Sequence, residues 1–367
     1  IHDESHEKGG IEDKTKHKAD KVITSNSKHD QKRDLAETFD SETRSTWQEL
    51  KTEIEASIET YRGTDKKDAK AESASHADDK YRYDRYHVLH NRELADSMQH
   101  LVQHGLVASK AVHRLDLPNL PTTRSLRNDI GDLRSRLKHA AYDTTRGTTD
   151  KTGLSVSPLL GVGKNNPLNR VICELIASAQ QQLTICTPYF NLPLAIIREI
   201  NRALARGVKI DIVVGDKTAN DFYIPPSEPF RVISALPYLY EISLRRFAKR
   251  HQRNIDSGQL NLHLWRDGDN SYHLKGMWID QRYTLLTGNN LNPRAFRLDL
   301  ENALLIDDPH SEWLEPRRNE LTEIFQHTRR IEHFQNLETL ADYPTGVAKF
   351  LKRVSRVRIE RLLYRIL

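Results

Sequence analysis

The chain has 367 residues, of which 37% are hydrophobic and 29% charged, with a formal net charge of +5. No run approaches the roughly 20 apolar residues that span a bilayer, and no signal peptide is recognisable, which predicts a soluble, cytoplasmic protein of one large or two modest domains. The two cysteines, Cys173 and Cys186, stand in apolar segments without metal-ligand spacing and are predicted to be buried free thiols.

The first segment, residues 1–78, is dominated by Lys, Asp, Glu, Ser, Thr and His. Its few apolar residues cannot offset the entropy of ordering, which predicts a polar, largely disordered segment. One set of apolar residues at helical spacing predicts a single amphipathic helix within it: Trp47, Leu50, Ile54, Ile58 and Tyr61. The chain begins with Ile rather than Met, which favours a fragment or a processed protein.

Residues 79–150 have a mainly helical pattern and are interpreted as a helical linker region, with an interruption at Pro118–Pro121. Residues 151–340 alternate between strand-like and helical segments. Strands are predicted at 183–187, 208–214 and 260–265, and helices at 194–205 and 240–255. This alternation predicts an α/β fold with a mixed sheet flanked by helices.

The segment from Tyr272 to Asp280 contains the spacing H-x-K-x4-D in an apolar, strand-like run. Alternation along a strand would place His273 and Lys275 on the same face of a sheet. Such a pair suits phosphoryl chemistry without a metal, because the imidazole can attack phosphorus or carry a proton while the ammonium holds the phosphate oxygens. A Gly-Asn-Asn-Leu-Asn turn follows at Gly288, and a further strand is predicted from Glu301 to Ile306.

Residues 341–367 are predicted to form a basic amphipathic C-terminal helix. Apolar residues recur there at helical steps. Seven cations accompany one acid, Glu360: Lys349, Lys352, Arg353, Arg356, Arg358, Arg361 and Arg365. Three interpretations stay open: docking to an anionic membrane surface, packing on its own domain with a solvated basic face, and binding of ribosomes or another polyanion.

The motif and its asparagine-containing turn resemble the HKD motif of the phospholipase D superfamily. Four further segments are similar to the CDP-diacylglycerol–serine O-phosphatidyltransferases of Gram-negative bacteria, so that the resemblance extends from about Lys80 to the C-terminus. These segments are 80–87 (KYRYDRYH), 184–193 (TICTPYFNLP), 215–225 (GDKTANDFYIP) and 235–240 (ALPYLY).

The resemblance implies a phospholipase D-like fold and roles for several residues. His273 would be the nucleophile or the proton carrier, and Lys275 would bind the non-bridging phosphate oxygens. Glu301 would hydrogen-bond the far nitrogen of the histidine and fix its tautomer. Asp280 is expected to shape the motif rather than touch phosphorus, because it lies at the far end of the strand.

Three more residues are candidates for substrate binding. Asn290 and Asn292 occupy the turn that resembles the superfamily's phosphate-contacting turn. Lys217 follows a predicted strand, where ligands commonly bind in α/β sheets, and is either a contact to the nucleotide pyrophosphate or part of an ordinary charged turn. The 17 histidines include no H-E-x-x-H pattern, and neither a metal nor another cofactor is predicted.

The resemblance also predicts a first HKD motif shortly before Lys80, but a charged, low-complexity region stands there. A literal H-x-K-x4-D match begins at His6 and ends at Asp13. Its spacer holds two glycines and a glutamate where strand residues are expected, so a chance match is the simpler interpretation. A single-motif chain would obtain a second histidine by dimerising, or would keep the fold without full activity.

The implied activity is transfer of a phosphatidyl group from CDP-diacylglycerol to L-serine, giving phosphatidylserine and CMP through a phosphatidyl-histidine intermediate. The expected location is cytoplasmic, at the inner face of the cell membrane. Two alternatives stay open. One is another HKD transphosphatidylase or phospholipase, such as a cardiolipin synthase-like enzyme, and the other is a membrane-binding remnant without a complete site.

Overall fold

The computed structural model describes residues 81–85, 87–113, 122, 124, 126–138 and 153–356. The predicted amphipathic helix between Trp47 and Tyr61 and the motif match at His6 lie outside these residues. The part of the predicted C-terminal helix beyond Arg356 lies outside them as well. The domain boundaries at 78, 150 and 340 stay predictions.

The described strands form two sheets. In chain order they are β1 (Arg82–Tyr83), β2 (Ser155–Val162), β3 (Gln182–Thr187), β4 (Lys209–Gly215), β5 (Leu260–Trp265), β6 (Ser271–Tyr272), β7 (Gly276–Ile279), β8 (Tyr283–Thr287), β9 (Leu300–Asp307) and β10 (Thr328–Ile331). The large sheet has eight strands in the order β10-β5-β4-β3-β7-β8-β9-β2, and β1 pairs with β6 in a second sheet of two strands.

The described helices cover the large sheet and connect its strands. They are α1 (Arg92–His100), which continues as a π-helical segment (Leu101–Val107), α2 (Lys110–His113), α3 (Arg127–Lys138), α4 (Pro167–Ser178), α5 (Leu194–Ala205), α6 (Leu236–Arg250), α7 (Gln252–Asp256), α8 (Leu314–Gln326) and α9 (Thr345–Arg356). None of them is long and apolar enough to cross a membrane.

Three central strands, β3, β4 and β5, run parallel to one another, and the other neighbouring pairs in the large sheet are antiparallel. Parallel neighbours need a crossover, and α5 supplies it between β3 and β4, while α6 and α7 supply it between β4 and β5. The mixed α/β fold predicted from the sequence is therefore confirmed.

Alternation along the central strands divides the apolar residues between two cores. In β7, Met277 and Ile279 join the larger core with α4, α5 and α6, whereas Trp278 joins a smaller core on the opposite face. Because both faces are covered, these strands carry apolar residues on both faces, and the buried carboxylate of Asp211 is satisfied by Asn261 at 2.8 Å. Cys186 is a buried free thiol in the smaller core, where burial raises its pKa to about 12, and Cys173 is free and half-buried.

Several predicted elements match the structure closely, one helix differs, and one strand was not predicted. The helix 194–205 and the strand 260–265 have the predicted bounds. The predicted helix 240–255 instead begins at Leu236 and is interrupted at His251, whose backbone leaves helical geometry (φ −107°, ψ 18°). The strand Ser155–Val162 was not predicted, because Pro158 and Gly161 interrupt its apolar pattern.

The segment 79–150 differs from a purely helical region at its start. Arg82 and Tyr83 form a short strand that pairs in parallel with Ser271 and Tyr272, directly before the H-x-K motif. The ring of Tyr83 stacks on Trp265 at 4.9 Å between centroids. This strand brings the residues that follow it next to the motif. A purely helical segment would not have predicted that contact.

The described part of the C-terminal helix, α9, packs its apolar side on the domain. Val347, Phe350, Leu351 and Val354 are buried, and the ring of Phe350 lies 6.0 Å from that of Phe230. The cations Lys349, Lys352 and Arg356 are exposed on the other side. This arrangement is the second of the three interpretations, with a solvated basic face and no free apolar face on α9.

Candidate active site

The H-x-K motif crosses from the small sheet to the large one. Strand β6 ends at Tyr272 and β7 begins at Gly276, so residues 273–275 belong to neither strand. The backbone N–H of His273 donates to the carbonyl of Tyr83 at 2.9 Å. Although the continuous strand predicted for the motif is interrupted, the two side chains meet, with Lys275 Nζ 3.0 Å from His273 Nε2 and also in contact with Nδ1.

Lys275 is buried, with only 4% of its side chain exposed. Burial lowers the pKa of its ammonium to about 8, although the nearby carboxylates of Asp84 and Asp221 oppose that shift. The ammonium lies 3.8 Å from Asp84 Oδ2. A partly desolvated cation of this kind interacts strongly with an anion that enters the site, because little water screens it.

The carboxylate closest to the histidine is Asp84, which follows β1. Its Oδ2 lies 3.3 Å from His273 Nδ1, and its Oδ1 accepts from the backbone N–H of Arg85 at 2.9 Å. Burial tends to raise the pKa of Asp84, but these hydrogen bonds and the charge of Lys275 outweigh it and lower the pKa. Asp84 therefore stays ionised and can accept a hydrogen bond from Nδ1–H, which leaves the lone pair on Nε2.

A second carboxylate, Asp221, lies on the other side of the imidazole, with Oδ2 3.9 Å from His273 Nε2. The hydroxyl of Tyr189 donates to Asp221 at 3.1 Å, and Arg82 lies 3.5 Å from it. Burial raises the pKa of the Tyr189 hydroxyl, which keeps it protonated as a donor. The Tyr189 ring stacks on Tyr240 and meets the edge of His273 at 6.5 Å, so it closes one wall of the site.

Glu301 does not form the predicted hydrogen bond with His273. Asp84 contacts the imidazole instead, because β1 carries it next to the motif, whereas Glu301 is held in β9 opposite Gly161. Burial, together with the charge of Asp299, raises the pKa of Glu301 to about 7 against the attraction of Lys275. A carboxyl of this kind can hold a proton near neutral pH.

The turn after β8 is built by its own side chains. Asn289 Oδ1 accepts from the N–H of Leu291, which adopts a left-handed conformation (φ 51°), and Asn292 Oδ1 accepts from the N–H of Ala295. Asn292 is buried, and its side-chain oxygen is occupied by this hydrogen bond within the turn. Asn290 receives a hydrogen bond from Thr187 Oγ1 on its backbone carbonyl at 2.7 Å, and its own Oδ1 is buried without a partner among the described residues.

Asp280 lies at the far end of β7 from the motif and has a left-handed backbone (φ 49°). Its carboxylate accepts from three consecutive backbone N–H groups, those of Gln180, Gln181 and Gln182, at 2.8–3.1 Å. Its carbonyl accepts from Arg317. These contacts fix the entry of β3 beside β7 and place Asp280 away from the imidazole.

Lys217 forms no contact with the imidazole of His273 among the described residues. Its ammonium lies 3.1 Å from Glu241 and 2.6 Å from Glu338, and the rings of Tyr238 and Tyr343 lie 5.8 Å from it. Burial lowers its pKa, but the two carboxylates outweigh that effect and raise it. Its charge is balanced within this cluster, which matches the interpretation as a charged turn.

The sequence did not single out Arg85, which supports the motif from behind. Its guanidinium pairs with Glu320 at 2.8 Å, donates to the carbonyls of Lys275 and Leu285 at 2.8 and 3.3 Å, and lies over the ring of Trp278. Asp84 and Asp221 were missed in the same way, although both lie in segments quoted for the resemblance, 80–87 and 215–225. The available signal for these residues was the occurrence of charged residues among aromatic ones in the two segments.

No group of three or more His, Cys, Asp or Glu side chains in the described residues is suited to hold a metal ion. His100 and His104 are spaced as H-x3-H, and their rings lie 4.5 Å apart. Two histidines without a third ligand do not make a metal site of the usual protein kind.

Comparison with known proteins agrees with this geometry. Residues 172–328 match the family model described as "Cardiolipin synthase, PLD-like domain". The chain is 52% identical over 292 residues to the CDP-diacylglycerol–serine O-phosphatidyltransferase PssA of Escherichia coli K12, with 80% of this chain and 64% of the relative covered. It is 48% identical over 294 residues to the enzyme of the same name from Haemophilus influenzae, with 80% and 65% covered.

The crystal structure of the phosphatidylserine synthase of Haemophilus influenzae superimposes with a TM-score of 0.73 at 48% identity, covering 79% of this chain and 65% of that one. The chain therefore has a phospholipase D-like fold, and residues 172–328 match a PLD-like domain. The chain is similar to the CDP-diacylglycerol–serine O-phosphatidyltransferases of Escherichia coli and Haemophilus influenzae, in agreement with the resemblance of segments 80–87, 184–193, 215–225 and 235–240. It spans just under two thirds of the length of these relatives.

Proposed function

We propose that this protein transfers a phosphatidyl group from CDP-diacylglycerol to L-serine, giving phosphatidylserine and CMP. The observation that carries the proposal is the contact between His273 and Lys275 in a domain half-identical to enzymes of that name. The imidazole supplies a nucleophile, and the buried ammonium supplies a fixed cation for the phosphate oxygens. Phosphoryl transfer needs both, because charge builds on those oxygens in the transition state.

The reaction has two displacements. In the first, His273 Nε2 attacks the phosphorus that carries the diacylglycerol, the bond from that phosphorus to the CMP oxygen breaks, and a phosphatidyl-histidine forms. Asp84 stabilises the imidazolium through Nδ1–H. In the second, the serine hydroxyl attacks the same phosphorus and loses its proton to a base, the P–N bond breaks, and His273 is regenerated. Two inversions retain the configuration at phosphorus.

A second proton carrier is required for the serine hydroxyl. We propose that it is a second histidine, supplied by another copy of the chain in a homodimer or by residues 1–78. Glu301 is a further candidate among the described residues, since its pKa of about 7 permits both protonation states near neutral pH. Asp280 and Asn292 serve the architecture of the site, and Asn290 keeps its amide for substrate.

The lipid-linked nucleotide places the reaction at a membrane surface. We propose a peripheral location at the cytoplasmic face of the cell membrane, with the exposed cations of α9 attracting anionic lipids. The same cations would also attract a ribosome or another polyanion. Lys349, Lys352 and Arg356 support both interpretations through their exposure.

The test of the activity is CMP release from CDP-diacylglycerol in mixed micelles, with and without L-serine. His273→Ala is expected to lower serine-dependent release by at least about a thousandfold, because the nucleophile is lost. His310→Ala, at an exposed histidine, is the matched control and should leave the rate unchanged. Equal rates for the two variants would contradict the assignment of His273.

A second candidate activity is supported by the description of the matching family model, which names cardiolipin synthase. The acceptor would then be glycerol or phosphatidylglycerol rather than serine, with the same nucleophile. A panel of acceptors decides between the two, because product with glycerol and none with serine would overturn the leading proposal. Vesicle binding by a folded protein with no CMP release would favour a membrane-binding remnant.

A further inference from the structure

A cavity of about 570 Å³ opens at the end of β2. Its walls come from α3, from the turn between β2 and α4, and from the turn before β9. They include Arg134, Lys164, Arg297 and Leu298. The described lining contains no acidic residue and none of the residues assigned to phosphatidyl transfer. Its volume falls within the range of about 300–1,000 Å³ that small-molecule sites occupy.

Three cations from three separate elements share this cavity. Arg134, Lys164 and Arg297 are exposed, and none of them forms an ion pair with another described residue. The neighbouring Arg294, by contrast, is paired with Asp299 at 3.1 Å. Unpaired like charges around one concave surface repel one another and raise the local potential, and a bound anion relieves both effects.

The backbone that presents these cations is fixed. Lys164 stands between Gly163 and Asn165, which both adopt left-handed conformations (φ 71° and 58°). The buried side chain of Asn166 closes this turn by donating to the carbonyl of Gly163 at 2.7 Å and accepting from the N–H of Asn169 at 2.8 Å. The turn therefore holds its shape without a ligand, so binding costs little ordering entropy.

A hydrogen bond couples the second turn to the same scaffold. The amide of Asn169 donates to the carbonyl of Phe296 at 2.8 Å, directly before Arg297. Leu298 follows with 58% of its surface exposed, and Leu300, which pairs with Val162, is 47% exposed. Cations and an exposed apolar side chain, that of Leu298, thus occur together at this cavity.

We propose that the cavity is a binding site for a phosphate mono- or diester, separate from the transfer site. Two guanidinium groups match phosphate oxygens with paired N–H donors, and Lys164 adds a third cation. Leu298 contacts the organic part of the ester. The ester is either the headgroup of a membrane lipid or a soluble phosphorylated metabolite. The proposal goes beyond phosphatidyl transfer and does not depend on it.

The test uses the full chain and a local readout. Hydrogen exchange of the turn at residues 163–166 is measured with glycerol 3-phosphate and, separately, with phosphatidylcholine vesicles that contain or lack phosphatidylglycerol. The test variant is Arg134→Gln/Lys164→Gln/Arg297→Gln. The control variant, Arg198→Gln/Arg202→Gln/Lys209→Gln, removes the same charge at exposed positions outside the cavity. Circular dichroism verifies that both variants are folded.

The parent protein and the control variant are expected to show slower exchange in this turn with the ligand. The cavity variant is expected to need at least about tenfold more ligand for the same protection, because three charge-assisted contacts are lost. Protection by glycerol 3-phosphate identifies a site open to soluble esters, and protection only by phosphatidylglycerol vesicles identifies a lipid headgroup. No protection by either ligand, or equal protection in both variants, would overturn the proposal. Loss of CMP release alone would leave it standing.

Discussion

Lys275 is the site residue whose environment departs most from that of an ordinary surface lysine. It is buried beside an imidazole and two carboxylates, and its pKa of about 8 lies close to the working pH of a cell. A cation is retained there only because Asp84 and Asp221 oppose the cost of burial. The residue proposed to hold the phosphate is thus also a titrating group, and under that proposal its charge would control substrate binding.

A pH profile follows from that charge. The ammonium is present below its pKa and lost above it, so kcat/KM for CDP-diacylglycerol should fall as the pH rises through about 8, approaching tenfold for each pH unit. Lys275→Arg should move this limb to higher pH, at a lower maximal rate, because a guanidinium stays charged but has a different shape. A limb at the same pH in both proteins would assign the titration to another group.

Gly276 is required by the contacts of Arg85. A Cβ at this position would overlap the guanidinium of Arg85 and lie 2.8 Å from the carbonyl of Leu285. Gly276→Ala is expected to lower the free energy of unfolding by about 2–4 kcal/mol and to displace the carbonyl of Lys275. Gly131→Ala is the matched control, because a Cβ there meets nothing in a helix and should stabilise by about 0.5–1 kcal/mol. Chemical denaturation measures both, and equal effects would refute the argument.

At the scale of elements, the site depends on two strands that meet at the motif. Strand β1 pairs with β6 beside the motif, and β7 follows the motif in the chain. Local spacing was sufficient to predict the pairing of His273 with Lys275, because a single residue, Leu274, separates them. Asp84 contacts His273 across 189 positions of the chain, and its place is set by the pairing of β1 with β6. Such a contact depends on tertiary structure. The periodicity of a single sequence indicates helices and strands but not which distant residues meet.

The same limit explains the outcome for Glu301. Its strand was predicted and is present, but the register of β9 against β2 and β8 decides what the side chain reaches. The strand alternation that was used to place His273 and Lys275 on one face of a sheet failed for a related reason. A strand that leaves one sheet for another is interrupted, and His273 and Lys275 meet through this interruption rather than on one strand face.

Asp280 gives the prediction that belongs to this scale. Its carboxylate satisfies three N–H groups that begin β3, so Asp280→Ala should lower the free energy of unfolding by about 2–3 kcal/mol. Asp280→Asn should cost less, because asparagine keeps an acceptor and tolerates the left-handed backbone. Thermal unfolding measures the loss, and CMP release at a temperature where both variants are folded should stay within about tenfold of the parent. A loss as large as that expected for His273→Ala would mean that Asp280 acts in the chemistry.

At the scale of the whole molecule, the proposed membrane attraction would come from charge rather than from an apolar face of the described helix α9. The apolar side of this helix is buried on the domain, and inserting it into a bilayer would expose the surface that it covers. The exposed cations can act without undocking the helix. Electrostatic attraction of this kind is reversible and weakens as salt is added.

The corresponding variant is Lys349→Gln/Lys352→Gln/Arg356→Gln. Each cation near an anionic surface contributes about 1 kcal/mol, so the variant should bind phosphatidylglycerol vesicles at least about tenfold more weakly at low salt. The difference should shrink at high salt, where the Debye length falls to about 3 Å in 1 M salt. Vesicle sedimentation measures both, with Arg198→Gln/Arg202→Gln/Lys209→Gln as the control of equal charge. If the two variants bind equally, the anionic surface is met by another part of the protein, and α9 serves only to close the core through Phe350 and Val354.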